Sequence, residues 1–332
     1  MKLSLSIKFA ALAQTLFALT ALATPNPIAG TSSIGVRDPA MWYNSNNKKY
    51  YLFATGGNIG TWTSTSLAGP YTYVGAVLPN CSKIQLDGNC VLWAPDVNYI
   101  DGEYVLYYSV SSIGSQNSAI GVATSSSMDP GTWTDHGEVI SSKAGDVYNA
   151  IDPNLIDWNG LKLSFGSYWN GMYQIGLWPD VATQASALPG THLAGLNGRP
   201  AEGGFTYKSP ASSYYFFFFS DGITPLEGAS SRPAAGVEYK VLVGRSDGAM
   251  GPYYDQAGQA LVNNQSPITG TLVLGSHDNV YAPGGQSVFR DPVSNRDVIV
   301  YHYQPLNGPI GGPSYLGINY LDFSSGWPVI VA

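Results

Sequence analysis

The chain has 332 residues, a net charge of −7 and an isoelectric point near 4.9, and only 11% of it is charged. That balance offers no basic face for nucleic acid or for an anionic membrane surface. With 39 Gly, 22 Pro, 23 Tyr, 11 Phe and 8 Trp, and no long amphipathic helical pattern, the composition favours an all-β fold rich in turns.

Residues 1–23 read as an address. Lys2 and Lys8 precede an apolar run over 9–22, and Ala21-Leu22-Ala23 suits a small-residue cleavage site. A secretory signal peptide is expected, and with it a secreted, extracellular protein. No later stretch is apolar for long enough to span a bilayer, and residues 24–332 are expected to form one domain.

From Arg37 the segment RDPAMWYNSNNKKYYLFAT runs through a short strand, a polar turn and a strongly β-forming strand ending in aromatics. That is a hairpin signature. IGTWTSTSLAGPYTYVGAVL adds two more strands around a Gly-Pro turn. Next come Cys81 and Cys90. In an oxidising compartment they are expected to pair across a short loop, the alternative being two free buried thiols. Asn80-Cys81-Ser82 is also a formal glycosylation sequon. Two Cys and four scattered His make no zinc pattern.

The same shape returns in APDVNYIDGEYVLYYSV from Ala94, IDPNLIDWNGLKLSFGSY from Ile151 and AEGGFTYKSPASSYYFFFFS from Ala201. After an extra loop around 223–237 it appears once more, in GGQSVFRDPVSNRDVIVYHY from Gly284. YLGINYLDFSSGWPVIV closes the chain as a shortened second half. Five units of four strands, mostly spaced by roughly 50–60 residues, predict a five-bladed β-propeller. A β-sandwich would leave the fivefold repeat unexplained, and a β-helix repeats over a much shorter length.

The unit starts carry Asp38, Asp96, Asp152 and Glu202. Arranged radially, they converge on one axial pocket, where carboxylates repel and shift one another's pKa values. Taken singly, an Asp before Pro starts a turn as readily as it serves a site, and Asp96 in WAPDV reads best as a structural acceptor of backbone N–H groups. Together the acids suit glycosidic hydrolysis. One protonated carboxyl serves the leaving oxygen, and an ionised one stands on the opposite face. The acid needs a raised pKa, which a third carboxylate supplies. Trp93, Tyr168 and Trp169 adjoin these motifs and are expected to stack on sugar, against the alternative of ordinary core packing.

The ordered set RDPA, WAPDV, SQNSAIGVATS, NAIDPNL, SFGSYW, RPAEGGF and HDNVYAPGGQ resembles glycoside hydrolase family 43, in particular its secreted fungal endo-1,5-α-L-arabinanases. The resemblance spans nearly all of the chain after the leader. It implies a five-bladed propeller and an inverting hydrolase, with Asp38 as general base, Glu202 as general acid and Asp152 raising and orienting that acid. It implies sugar contacts from Asn149, Ala150, Ile151, Ser167, Tyr168 and Trp169, and a weaker one from Asn117. It further implies an ion, commonly calcium, at the propeller centre, held through His277 and waters; the alternative for His277 is a hydrogen bond within the channel. His302 is expected to be buried at a strand end, the alternative being contact with the ion, with His136 and His192 outside the site. Arg37 stands where many bacterial arabinanases have His. The expected partner is the polysaccharide arabinan, with no nucleic acid and no membrane, and the protein is expected to be a monomer. Exo-acting relatives and a glycan-binding propeller are the alternatives.

Overall fold

The computed structural model describes residues 23–263 and 268–332, so 1–22 of the expected signal peptide lie outside the described residues. Within that range twenty strands form five antiparallel sheets, each built from four strands consecutive in the chain. Blade one holds β1 (Ala40–Asn44), β2 (Lys49–Ala54), β3 (Gly60–Ser64) and β4 (Thr72–Ala76). Blade two holds β5 (Trp93–Ile100), β6 (Glu103–Val110), β7 (Ser118–Ser125) and β8 (Thr134–Ser142). Blade three holds β9 (Asn154–Asp157), β10 (Leu161–Phe165), β11 (Met172–Gly176) and β12 (Thr191–Ala194). Blade four holds β13 (Ala201–Tyr207), β14 (Tyr215–Asp221), β15 (Lys240–Ser246) and β16 (Thr271–Leu274). Blade five holds β17 (Val280–Asp291), β18 (Arg296–Pro305), β19 (Tyr315–Asp322) and β20 (Val329–Val331).

The first strands touch one another around a ring, β1 to β5 to β9 to β13 to β17 and back to β1. They are therefore innermost, and the fold is the five-bladed propeller that the repeat predicts. The apolar core is divided to match, one cluster between each pair of neighbouring blades. A blade buried on both faces needs strands apolar on both faces. β14 shows this directly: Phe216 and Phe218 pack toward blade five, Phe217 and Phe219 toward blade three, and all four are fully buried. The two-residue period of the strand sends alternate rings to opposite sides.

The ring is closed by the chain's own beginning. β20 pairs with only Tyr320–Asp322 of β19. Residues 25–36 lie along the remainder of β19, where the Ile28 amide donates to the Ile318 carbonyl and the Leu316 amide to the Ile34 carbonyl. The Asn319 side chain adds bonds to the Pro25 and Asn26 carbonyls. Cys81 and Cys90 are joined by a disulfide, closing the loop that leads into Trp93.

One reading of the repeat needs correction. Asp96 is not the counterpart of Asp38 and Asp152. Those two precede Pro39 and Pro153 with left-handed φ of 43° and 58°, and the residue in that place in blade two is Ala94, φ 45°, before Pro95. Asp96 lies two residues further along, inside β5 and buried. There its Oδ2 accepts from the Leu155 amide at 2.7 Å and from Asn98 Nδ2 at 2.7 Å. Asn154 repeats the arrangement one blade on, its Oδ1 accepting from the Thr206 amide at 2.7 Å. Both side chains stitch one inner strand to the next.

Candidate active site

Each blade start is held by the blade before it. The Ala94 amide donates to Thr55 Oγ1 at 2.8 Å, the Asp152 amide to Ser109 Oγ at 3.0 Å and the Gly285 amide to Ser220 Oγ at 2.9 Å. The Asp38 amide donates to His302 Nδ1 at 3.1 Å. Ser167, just beyond β10, instead donates its hydroxyl to Glu202 Oε2 at 2.7 Å. This ring of polar side chains sets residues with left-handed backbone, a conformation that stores strain and gathers at functional sites. It brings Asp38, Asp152 and Glu202 into one cleft of about 300 Å³, also lined by Arg37, Trp93, Ile151 and Tyr239.

Asp38 Oδ2 accepts from Thr55 Oγ1 at 2.7 Å. Thr55 already accepts the Ala94 amide, so its single proton is directed at the carboxylate. Asp38 Oδ1 lies over Gly285, where any Cβ would collide with it and with the His302 ring. His302 Nδ1 stands 3.4 Å from that oxygen, but it accepts the Asp38 amide and so carries no proton. Burial and then the nearby Arg37 charge push the His302 pKa down to about 3, against the opposing pull of Asp38. The pair is therefore a neutral imidazole beside a carboxylate, not an ion pair.

Glu202 is the second residue of β13, where a bulge breaks the pairing between Glu202 and Phe205. Its Oε2 takes the Ser167 hydroxyl, and its Oε1 takes the Tyr239 hydroxyl at 2.9 Å. Burial raises its pKa, those two donors act against the rise, Asp38 adds to it and Arg37 lowers it. Among the described residues Asp152 accepts only the Gly203 amide, at 3.1 Å. Burial lifts its pKa well above the ordinary carboxylate range, with repulsion from Glu202 and then Asp38 adding to the rise. Two buried carboxyls that repel each other hold one proton between them until the pH is well above their usual range. Tyr239, itself raised by burial and by Glu202, stays a phenol and a donor.

A second cavity of about 600 Å³ adjoins the first and shares Trp93, Ile113, Ile151, Glu202 and Leu226 with it. Asn149, Ser167, Tyr168 and Trp169 line it. Two expected contacts lie elsewhere. Ala150 is fully buried in the core between blades two and three, its amide donating to Ser142 Oγ. Asn117 is exposed and lines neither cavity; its amide donates to Ser115 Oγ, and the preceding turn, Ser112 to Ser115, faces the cleft instead.

His277 lines neither cavity, and its buried Nε2, like that of His302, has no partner among the described residues. Its Nδ1 is paired with the Gly275 carbonyl at 3.0 Å and its backbone with Val280. The imidazole that stands at the carboxylates is His302, whose buried Nε2 has no partner among the described residues. Among those residues no group of three or more His, Cys, Asp or Glu is arranged to hold a metal. The donor set at the ring thus fits a cation only as one imidazole nitrogen completed by water.

Tyr239, Thr55 and Leu226 were not legible as site residues. Tyr239 is one of 23 tyrosines, and nothing in VEYKVLVGRS separates it from a core residue. Only the return of the chain after the 222–239 segment sets it against Glu202.

The family model for glycosyl hydrolases family 43 matches residues 25–328. Arabinan endo-1,5-α-L-arabinosidase A of Aspergillus aculeatus is 43% identical over 325 residues, covering 94% of this chain and 99% of that protein. The crystal structure of an exo-1,5-α-L-arabinanase from a bovine ruminal metagenomic library superposes with a TM-score of 0.77 at 28% identity, covering 92% of this chain and 99% of that one. An α-L-arabinanase of Cellvibrio cellulosa complexed with arabinohexaose gives 0.73 at 27% identity, covering 90% and 96%.

Proposed function

The chain belongs to glycosyl hydrolases family 43, and from that premise we propose that it is an endo-1,5-α-L-arabinanase that cleaves α-1,5 linkages within arabinan with inversion. The observation that carries the reading is three carboxylates on the floor of a groove that continues past Glu202 into a second, aromatic-lined cavity. A chain can then extend beyond the leaving oxygen. The 43% identity to a protein named as an endo-acting arabinosidase supports endo over exo action.

In this mechanism Asp38 is the base. Thr55 and the Asp38 backbone fix its orientation, and it takes a proton from the water that attacks the anomeric carbon. Glu202 is the acid and gives its proton to the departing sugar oxygen. The Ser167 and Tyr239 hydroxyls then stabilise the carboxylate left behind. Asp152, by like-charge repulsion, keeps Glu202 protonated before the transfer. A cation, commonly calcium in such a centre, would be held by His302 Nε2 and water, and would supply positive charge near Asp38. Secretion is part of the proposal, supported by the basic start and the apolar run over 9–22.

The test is product analysis on linear arabinan together with Glu202→Gln. The wild type is expected to release oligosaccharides of mixed length, with the anomer inverted when followed by NMR. Glu202→Gln is expected to lose about 100- to 10,000-fold in kcat. Arabinose as the sole early product would overturn endo action, and an active Glu202→Gln would overturn the acid assignment.

A further inference from the structure

Arg37 precedes the proposed base and lies beside three carboxyl groups, yet among the described residues it forms no ion pair with any of them. Its planar fork is engaged elsewhere. Nη2 donates to Thr224 Oγ1 at 2.7 Å, while Nη1 donates to the Pro225 carbonyl at 3.1 Å and reaches Ser314 Oγ at 3.5 Å. A guanidinium is suited to this, since its donors are fixed in one plane and several can grip one segment together.

The gripped segment, 222–239, links β14 to β15. The equivalent links in the other blades, 55–59, 111–117, 166–171 and 306–314, are all much shorter. It does not stay over its own blade. The Gly228 amide donates to the Gly311 carbonyl at 2.8 Å, and Arg232 Nη2 donates to the Leu306 carbonyl at 2.6 Å, with its guanidinium over the Tyr281 ring. The segment thus crosses blade five and reaches Arg37 in blade one. Pro225 is buried under this clamp, and the next residue, Leu226, is 44% exposed and lines both cavities. Ile113, 78% exposed, also lines both. Exposed large apolar side chains held on a cleft wall mark a surface that a ligand covers. A furanose presents C–H groups that match them.

We propose that Arg37 is a positioning residue that sets the width of the substrate cleft by clamping 222–239, and that Leu226 is the specificity-determining wall that this clamp holds against the furanose chain. The proposal rests on the arabinan reading above. It assigns the Arg37 fork to the loop; the charge of Arg37 acts on the carboxyl groups whether or not the loop is held.

The test uses the full secreted chain. In Arg37→Met and Arg37→Lys, amide hydrogen exchange across 222–239 is expected to accelerate by about tenfold or more as the clamp opens. KM on linear arabinan is expected to rise about tenfold, with a smaller change in kcat. Lys keeps the charge and loses the fork, so agreement between the two variants assigns the effect to the clamp. Leu226→Ala is expected to give the same KM rise with wild-type exchange. Unchanged exchange in both Arg37 variants would overturn the clamp. An unchanged KM in Leu226→Ala would overturn the wall. A wild type inactive on arabinan would defeat the reaction itself, and the exchange measurements would still decide the clamp.

Discussion

Glu202 accepts two hydroxyl donors and Asp152 a single amide, and this asymmetry gives two neighbouring carboxyls different work. Donors to a carboxylate favour its ionised form, so Ser167 and Tyr239 oppose the rise that burial imposes on the Glu202 pKa and stabilise the anion left after proton transfer. In the proposed mechanism activity requires Glu202 protonated, so the rate is expected to fall as pH rises through its pKa. Tyr239→Phe removes a donor to the carboxylate and raises that pKa, so the alkaline limb of kcat/KM should move to higher pH, with a loss of about tenfold in kcat. Asp152→Asn removes a repelling charge and lowers it, so the same limb should move to lower pH, with a loss of about 100-fold because the acid also loses its orienting neighbour. Opposite displacements in paired pH profiles would assign the two roles. Shifts in the same direction would refute them.

At the scale of the element, the inner strands are held in register by single polar side chains within an apolar ring. Burial raises the Asp96 pKa to about 7, against the donors Leu155, Asn154 and Asn98. Asn154 performs the same task for β13 without a charge, through the Thr206 amide. Asn154→Ala would leave that amide buried and unpaired, which costs about 1–3 kcal/mol. Guanidinium unfolding should show a loss of that size with an unchanged slope. The β-bulge at Glu202 acts at this scale too, because it ends regular pairing where Glu202 lines the cleft.

For the whole molecule, closure of the ring decides stability. Among the described residues no blade shares strands from both ends of the chain; closure rests on residues 25–36 lying along β19, with Ile34 and Val36 buried between blades one and five. Removing 24–34 would expose that seam and strip the buried Asn319 amide of both its carbonyl partners. Apolar burial and two or three hydrogen bonds together make this worth about 3–5 kcal/mol. The truncated chain should melt well below the full one. Equal melting temperatures would place closure elsewhere, in the β17 and β1 contact.

Much of this was written in one dimension. The five repeats, the aromatic second strands and the Asp-Pro starts follow from local rules of pleat and turn, so the propeller and the acids Asp38, Asp152 and Glu202 were legible without coordinates. Local rules misplaced Asp96 by two residues, because a repeat is aligned by residue type while the pocket is set by the left-handed residue before Pro. The family resemblance put Ala150 and Asn117 on the sugar and His277 at the centre, whereas Ala150 turns into the core between blades two and three, and Asn117 and His277 line neither cavity. Tyr239 meets Glu202 within blade four, across a separation of 37 residues, only once the 222–239 link has folded back. His302 against Asp38 and Arg37 on Thr224 join different blades, and such pairs exist only after the ring has closed, when separations of 264 and 187 residues become hydrogen bonds.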